Sequence, residues 1–263
     1  MNKNSRRDFI KSSALLSIAA LSTPGTVLAS ENPVNNNAAL SAKGLTFLFQ
    51  GDSITDGNRG RDADPNHIMG HGYAFRIASG ISADFCTAGH KFYNRGISGN
   101  TTADLAARWQ TDTIALQPDV LSILAGINDV DAVVNNKPNA QNITQFEANY
   151  RQLITEALTA NPDIVIVLCL PFAAPVAPRK DAFESWKKAT LERAAVVTKL
   201  SKEYNTVLVN FPEVLEGAIK KAPADYWIWD GIHPTIAFHT LMSREWVKQV
   251  GKKIHFLKNY SGA

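Results

Sequence analysis

The chain has 263 residues, 45% of them hydrophobic and 19% charged, the profile of a globular protein able to bury a sizeable core. Its formal charge is +3, but residues 1–29 carry Lys3, Arg6, Arg7 and Lys11 against Asp8. The remainder is neutral overall and offers no basic stripe for nucleic acid or an anionic membrane surface.

In chain order, the first feature is Ser5-Arg6-Arg7-Asp8-Phe9-Ile10-Lys11 with its twin arginine. An apolar segment from Ala14 to Leu21 follows, then Pro24 and Val27-Leu28-Ala29. Basic, apolar and small-residue parts in that order are the layout of an export signal. The pattern resembles a twin-arginine signal, with an ordinary secretory signal that holds two arginines as the alternative. The expectation is export to the periplasm or the medium, with residues 1–29 standing apart from the fold. Residues 30–43, rich in Asn, Ala and Ser, read as a linker. The single folded domain is expected over 44–263. No later apolar run is long enough to span a bilayer, so no stable membrane insertion is expected once the signal is gone.

From Leu45 the chain alternates strand-like and helix-like segments. Phe47-Leu48-Phe49 is a short apolar run that ends in Gln50-Gly51-Asp52-Ser53-Ile54-Thr55-Asp56-Gly57. A helix-like stretch spans about Tyr73–Ser82. Phe92-Tyr93-Asn94 leads into Arg95-Gly96-Ile97-Ser98-Gly99-Asn100, and Thr101 or Thr102 caps a helix expected to run through Trp109. Val120–Leu124 reads as a buried strand ending at Ala125-Gly126-Ile127-Asn128-Asp129, followed by a loop with Asn135, Asn136 and Pro138. Phe146, Tyr150, Leu153, Ile154 and Ala157 recur at spacings of three and four, so 143–158 is an amphipathic helix. Strand Ile164–Leu170, helix Phe183–Tyr204, strand Val207–Val209 and a short helix near Leu215–Ile219 follow. Asp230-Gly231-Ile232-His233-Pro234 precedes a last helix from about Thr235 to Ile254. Strands separated by helix-length segments indicate βαβ units: an α/β fold with a mostly parallel sheet and helices on both faces. Cys169 lies in a strand and reads as a small packing residue. A bridge to Cys86 is left open, since sequence carries no geometry.

Four polar blocks sit where strands end, at the edge where open α/β sheets bind ligands. Ser53 is a candidate nucleophile, with a plain polar turn as the other reading. His233 sits three residues after Asp230 on a Gly/Pro loop, a spacing that lets the carboxylate reach the imidazole Nδ1 and orient it as a base. The competing reading is an Asx-turn in which Asp230 bonds its own backbone. The other histidines, His67, His71, His90, His239 and His255, are read as lacking comparable company. The backbone N–H groups of Gly99 and Ser53 and the side-chain NH2 of Asn128 are candidate oxyanion donors, against simple turn chemistry at Gly99 and Asn128.

Gly51-Asp52-Ser53-Ile54, Gly96-Ile97-Ser98-Gly99-Asn100-Thr101, Gly126-Ile127-Asn128-Asp129 and Asp230-Gly231-Ile232-His233-Pro234 resemble, in order, the four motif blocks of the SGNH (GDSL-type) hydrolases. Ile54 stands where the motif name has Leu. The resemblance spans nearly all of the chain beyond the signal. It implies a flavodoxin-like three-layer α/β/α sandwich and esterase chemistry. By motif position it makes Ser53 the nucleophile, His233 the base and Asp230 its orienting acid, with Ser53, Gly99 and Asn128 as oxyanion donors. No cofactor or metal is implied, and the chain has no HExxH or Cys/His cluster.

Export places the substrate outside the cytoplasm. Tyr226, Trp227 and Trp229 just precede the acid–histidine loop and could stack on a sugar or simply pack in the core. The stretch Tyr-Trp-Ile-Trp-Asp-Gly-Ile-His-Pro is similar to that of exported bacterial GDSL proteins associated with polysaccharide breakdown. The expectation is removal of O-acetyl groups from a glycan, with a lysophospholipase or general short-chain esterase as the alternative. A glycan-binding protein of little activity and an acyltransferase with the same triad stay open.

Overall fold

The structure is a computed structural model and describes residues 44–62 and 64–262. The export signal and most of the linker expected from sequence lie outside these residues.

Five strands form one parallel sheet: β1 (Thr46–Gly51), β2 (Lys91–Asn94), β3 (Val120–Leu124), β4 (Val165–Cys169) and β5 (Val207–Val209), in the order β2-β1-β3-β4-β5. That order reverses direction between β1 and β3, which opens a crevice beyond their carboxyl ends. The α/β fold with a parallel central sheet is therefore as the sequence indicates.

The strands read as continuous apolar runs because both faces are covered. Alternate residues still divide between two cores. Phe47 and Phe49 of β1, Leu124 of β3 and Val167 of β4 point to one face, where α2 (Tyr73–Asp84), α8 (Phe211–Ile219) and α10 (Ile236–Val250) pack around Trp246. Leu48, Leu121, Ile123 and Leu168 point to the other. There α3 (Thr102–Ala107), α6 (Ile143–Ala160) and α7 (Phe183–Glu203) supply Leu105, Phe146, Tyr150, Leu153 and Leu200. Two cores on either side of one sheet make the three-layer α/β/α sandwich. The buried face of α6 is Phe146, Tyr150, Leu153, Ile154 and Ala157, the set its periodicity picks out. Asn142 caps that helix in a reciprocal box with Gln145.

Two local elements differ from the sequence reading. A helix that the sequence reading does not pick out, α5 (Ile127–Val134), follows β3, and the loop expected at Asn135, Asn136 and Pro138 comes after it. The helix capped by Thr101 stops at Ala107, and α4 (Trp109–Asp112) starts afresh with Arg108 between them. Arg108 there has φ −114° and ψ 8°, off the helical values, and its side chain is bound by Gln50, Asn100 and Asp112. Cys86 is exposed, Cys169 is buried, and both are free, so the bridge left open is not formed. No helix of the described residues is long and apolar enough to cross a membrane.

Candidate active site

Ser53 opens a one-turn helix, α1 (Ser53–Asp56), at the end of β1. The turn is tight because Gly51 has no side chain: a Cβ there would strike the Leu124 carbonyl and the Thr55 hydroxyl. Asp52 caps α1 by accepting the Ile54 N–H at 3.0 Å. Its carboxyl is fully buried, and its second oxygen has no partner among the described residues. Burial pushes Asp52 up to about 7, the Ile54 amide opposing and the nearby Asp129 adding to the shift.

The second block is held against this helix by backbone contacts. Gly96 packs so close to Asp56 that a Cβ would overlap its backbone. The Ile97 N–H donates to the Gly51 carbonyl at 3.1 Å, and the Ser98 N–H donates to Asp56 Oδ2 at 3.1 Å. Asn94, at the end of β2, reaches the carbonyls of Thr55, Asp56 and Met69 and accepts the Gly96 N–H. Gly99 follows at φ +83°, exposed, with open space where a side chain would sit. Its N–H donates to no partner among the described residues.

Asn128 lies in the first turn of α5, beyond β3. Its Nδ2 donates one hydrogen to the Asn100 carbonyl at 3.1 Å, which ties the third block to the second and leaves the other amide hydrogen free. Asp129 beside it accepts from the Thr102 amide and hydroxyl.

The fourth block brings in His233, the candidate base. His233 Nε2 is 2.8 Å from Ser53 Oγ, and His233 Nδ1 is 2.7 Å from Asp230 Oδ2. The two readings of Asp230 hold together. Oδ1 accepts the amides of Ile232 and His233 as an Asx-turn, while Oδ2 takes the imidazole. Burial works against the Asp230 carboxylate, but these bonds outweigh it and hold the group below its ordinary range, so it stays ionised.

The sequence reading missed several contributors. Arg179, 51 positions before Asp230, donates to the Asp230 carbonyl, and its NH1 is 3.9 Å from Oδ2. Its guanidinium lies over the Trp186 ring at 4.7 Å and is largely buried. No local pattern announces it, because it arrives on the loop after β4, whose Ala174 N–H donates to the Gly231 carbonyl. His67 does have company: its Nδ1 is 2.7 Å from Asp64 Oδ2, three residues back, which corrects the expectation that only His233 is so paired. His239 is buried and accepts the Tyr73 N–H at 3.1 Å, and burial pushes it down to about 3, so it is a neutral acceptor. Of the three aromatics, Trp227 packs against the core and Tyr226 stands edge-on to it. Trp229 is 64% exposed and stacks on His233 at 6.0 Å.

A sequence model of the GDSL-like Lipase/Acylhydrolase family matches residues 49–241. The chain is 29% identical over 213 residues to an acetylxylan esterase of Geobacillus stearothermophilus, a match covering 79% of this chain and 94% of that one. The crystal structure of an acetylxylan esterase from that organism superposes with a TM-score of 0.70 at 30% identity, over 80% of this chain and 95% of that one. A candidate GDSL-like lipase from Parabacteroides merdae superposes with a TM-score of 0.75 at 37% identity, over 80% of this chain and 96% of that one.

Proposed function

The chain belongs to the GDSL-like lipase/acylhydrolase family and is a carboxylic ester hydrolase, and on that footing we propose that it is an exported serine esterase that removes O-acetyl groups from polysaccharides or oligosaccharides. The observation that carries the chemistry is the unbroken line Ser53 Oγ–His233 Nε2 at 2.8 Å and His233 Nδ1–Asp230 Oδ2 at 2.7 Å. In this reading His233 Nε2 takes the Ser53 proton as Oγ bonds to the ester carbonyl carbon. The carbonyl electron pair moves to oxygen, where the N–H groups of Ser53 and Gly99 and the free amide hydrogen of Asn128 receive it. The carbon–alkoxy bond then breaks, the sugar hydroxyl leaves with the proton from His233, and water repeats the sequence on the acetyl-serine. Ionised Asp230 stabilises the imidazolium formed at each step. One oxyanion donor is worth on the order of 3 kcal/mol in the transition state.

Two features favour a sugar acetyl group over a long acyl chain. Trp229 presents an exposed ring beside the base, where a pyranose could stack. The apolar cavity of about 230 Å³ between α7 and α8 is walled by Phe172, Phe183, Leu191, Leu215 and Ile219, and neither Ser53 nor His233 lines it. Export rests on the sequence of residues 1–29. The test is acetate release from acetylated xylan, with Ser53→Ala as control. Acetate from the glycan, abolished in the variant, is the expected result. Fatty acid released from a lysophospholipid, with no acetate from any glycan, would overturn it.

A further inference from the structure

Four arginines lie on the segments next to Ser53 and Gly99: Arg59, which follows the nucleophile helix, Arg61, Arg95 just after β2, and Arg108, whose Nη2 is 3.4 Å from the Gly51 carbonyl. Two of them are committed. Arg61 pairs with Asp56 at 2.7 Å. Arg108 is spent on Asp112, Gln50 and Asn100. The neighbouring carboxylates are equally committed: Asp56 to Arg61 and the Ser98 amide, Asp112 to Arg108, and Asp104 to the Thr101 cap.

Arg59 and Arg95 are left over. Both are half-buried, and neither has a carboxylate partner among the described residues. Arg59 donates its Nε to the Gly96 carbonyl at 3.0 Å, which fixes the guanidinium against the loop that carries Gly99 and leaves both terminal amino groups uncommitted. Arg95 lies over the Tyr93 ring at 5.9 Å, and its Nε is buried without a protein partner. The two arginines repel each other. Arg59 is pushed down to about 10, by burial first and then by the charge of Arg61; Asp56 opposes this, and the weaker effects of Arg95, which adds to it, and Asp112, which opposes it, follow. Holding unpaired cations together in partial burial costs stability, and a bound anion relieves that cost. Guanidinium forks match a carboxylate in two parallel hydrogen bonds.

We propose that Arg59 and Arg95 form an anion subsite flanking the catalytic serine, and that the acetylated glycan it receives carries a carboxylate, as a uronic acid does. The inference rests on the glycan-esterase reading above and names the class of glycan. The chain of sugars would run along the carboxyl edge of the sheet, with the acetylated unit at Ser53 and the acidic unit over the arginine pair.

The experiment compares kcat/KM for acetate release from acetylated xylo-oligosaccharides with and without a glucuronic acid branch, at low and high salt. The protein as isolated is expected to prefer the acidic substrate at least tenfold at low salt, and the preference should shrink as salt rises. In Arg59→Gln/Arg95→Gln the ratio between the two substrates should fall to near one, and Arg59→Lys should restore part of the charge effect without the fork. Equal kcat/KM on the two substrates, or a preference that survives in the double variant, overturns the subsite alone. No acetate from either substrate, with an activated acetate ester still cleaved, overturns the glycan reading and the subsite with it.

Discussion

The molecule contains two Asp-x-x-His turns that are locally alike. Asp64 and His67 pair at 2.7 Å, and so do Asp230 and His233. In each the carboxylate also accepts a nearby backbone amide. The difference is in what surrounds them. His67 is 73% exposed on a surface loop, whereas the Asp230 carboxylate is 15% exposed and the far nitrogen of His233 meets Ser53. Three residues of spacing are enough to make an acid–imidazole pair. A relay also needs a hydroxyl on the other ring nitrogen, a partly buried acid and a fixed backbone, and those come from segments far away in the chain.

The comparison can be broken most forcefully at its third member. Ser53→Ala and His233→Ala should each lower kcat/KM on an activated acetate ester by about 10⁴-fold or more. Asp230→Asn should cost about 10²- to 10⁴-fold while the fold survives, readable as lost kcat with an unchanged far-ultraviolet spectrum. A carboxylate with no imidazole sharpens the contrast. Asp52 titrates near 7 when folded and near 3.8 when unfolded, so its neutral form favours the native state below about pH 4 and that advantage is lost as pH rises toward 7. Asp52→Asn keeps the cap and escapes the loss. It should match the parent protein at pH 4 and exceed it at pH 8 by up to about 4 kcal/mol in denaturant titrations. A variant equally stable at both pH values relative to the parent would refute the assignment.

Arg179→Met should lower kcat about tenfold with a smaller change in KM, and Arg179→Lys should recover part of the loss, because the cation holds the Asp230 carbonyl. The smallest effect belongs to the exposed pair. His67→Ala and Asp64→Asn should leave kcat/KM within about twofold and stability within about 0.5 kcal/mol. A large loss in either would mean that the surface turn serves the reaction after all.

The sequence carried the strands and the buried stripe of α6 because hydrophobic period is local information. It also carried the four motif blocks, since each is a short local run, three of them at strand ends and the fourth just before α10. Helix α5 was obscured by Asn128, Asp129 and Asp131, residue types that favour turns; here Asn128 and Asp129 are satisfied by Asn100 and Thr102 across the crevice, which frees the backbone to be helical. Arg179 was illegible because its partner Asp230 lies 51 positions away, and the break at Arg108 leaves no mark in the hydrophobic period. The aromatic run before Asp230 gave position but not exposure, and only the fold separates outward Trp229 from packed Trp227.

Ser53 and His233 stand 180 positions apart. Joining chain ends at that separation carries an entropic cost of roughly 5 kcal/mol by the logarithmic loop law, and nothing short-range offsets it. The contact requires β1 and the last turn before α10, elements from opposite ends of the domain, to be in place together. On the proposed mechanism, a chain still being synthesised, or one clipped before Asp230, holds a serine with no base. Hydrolytic activity is then a late-arriving property of the molecule, and recovery of turnover after dilution from denaturant should lag the return of helical signal, timing the last assembly step.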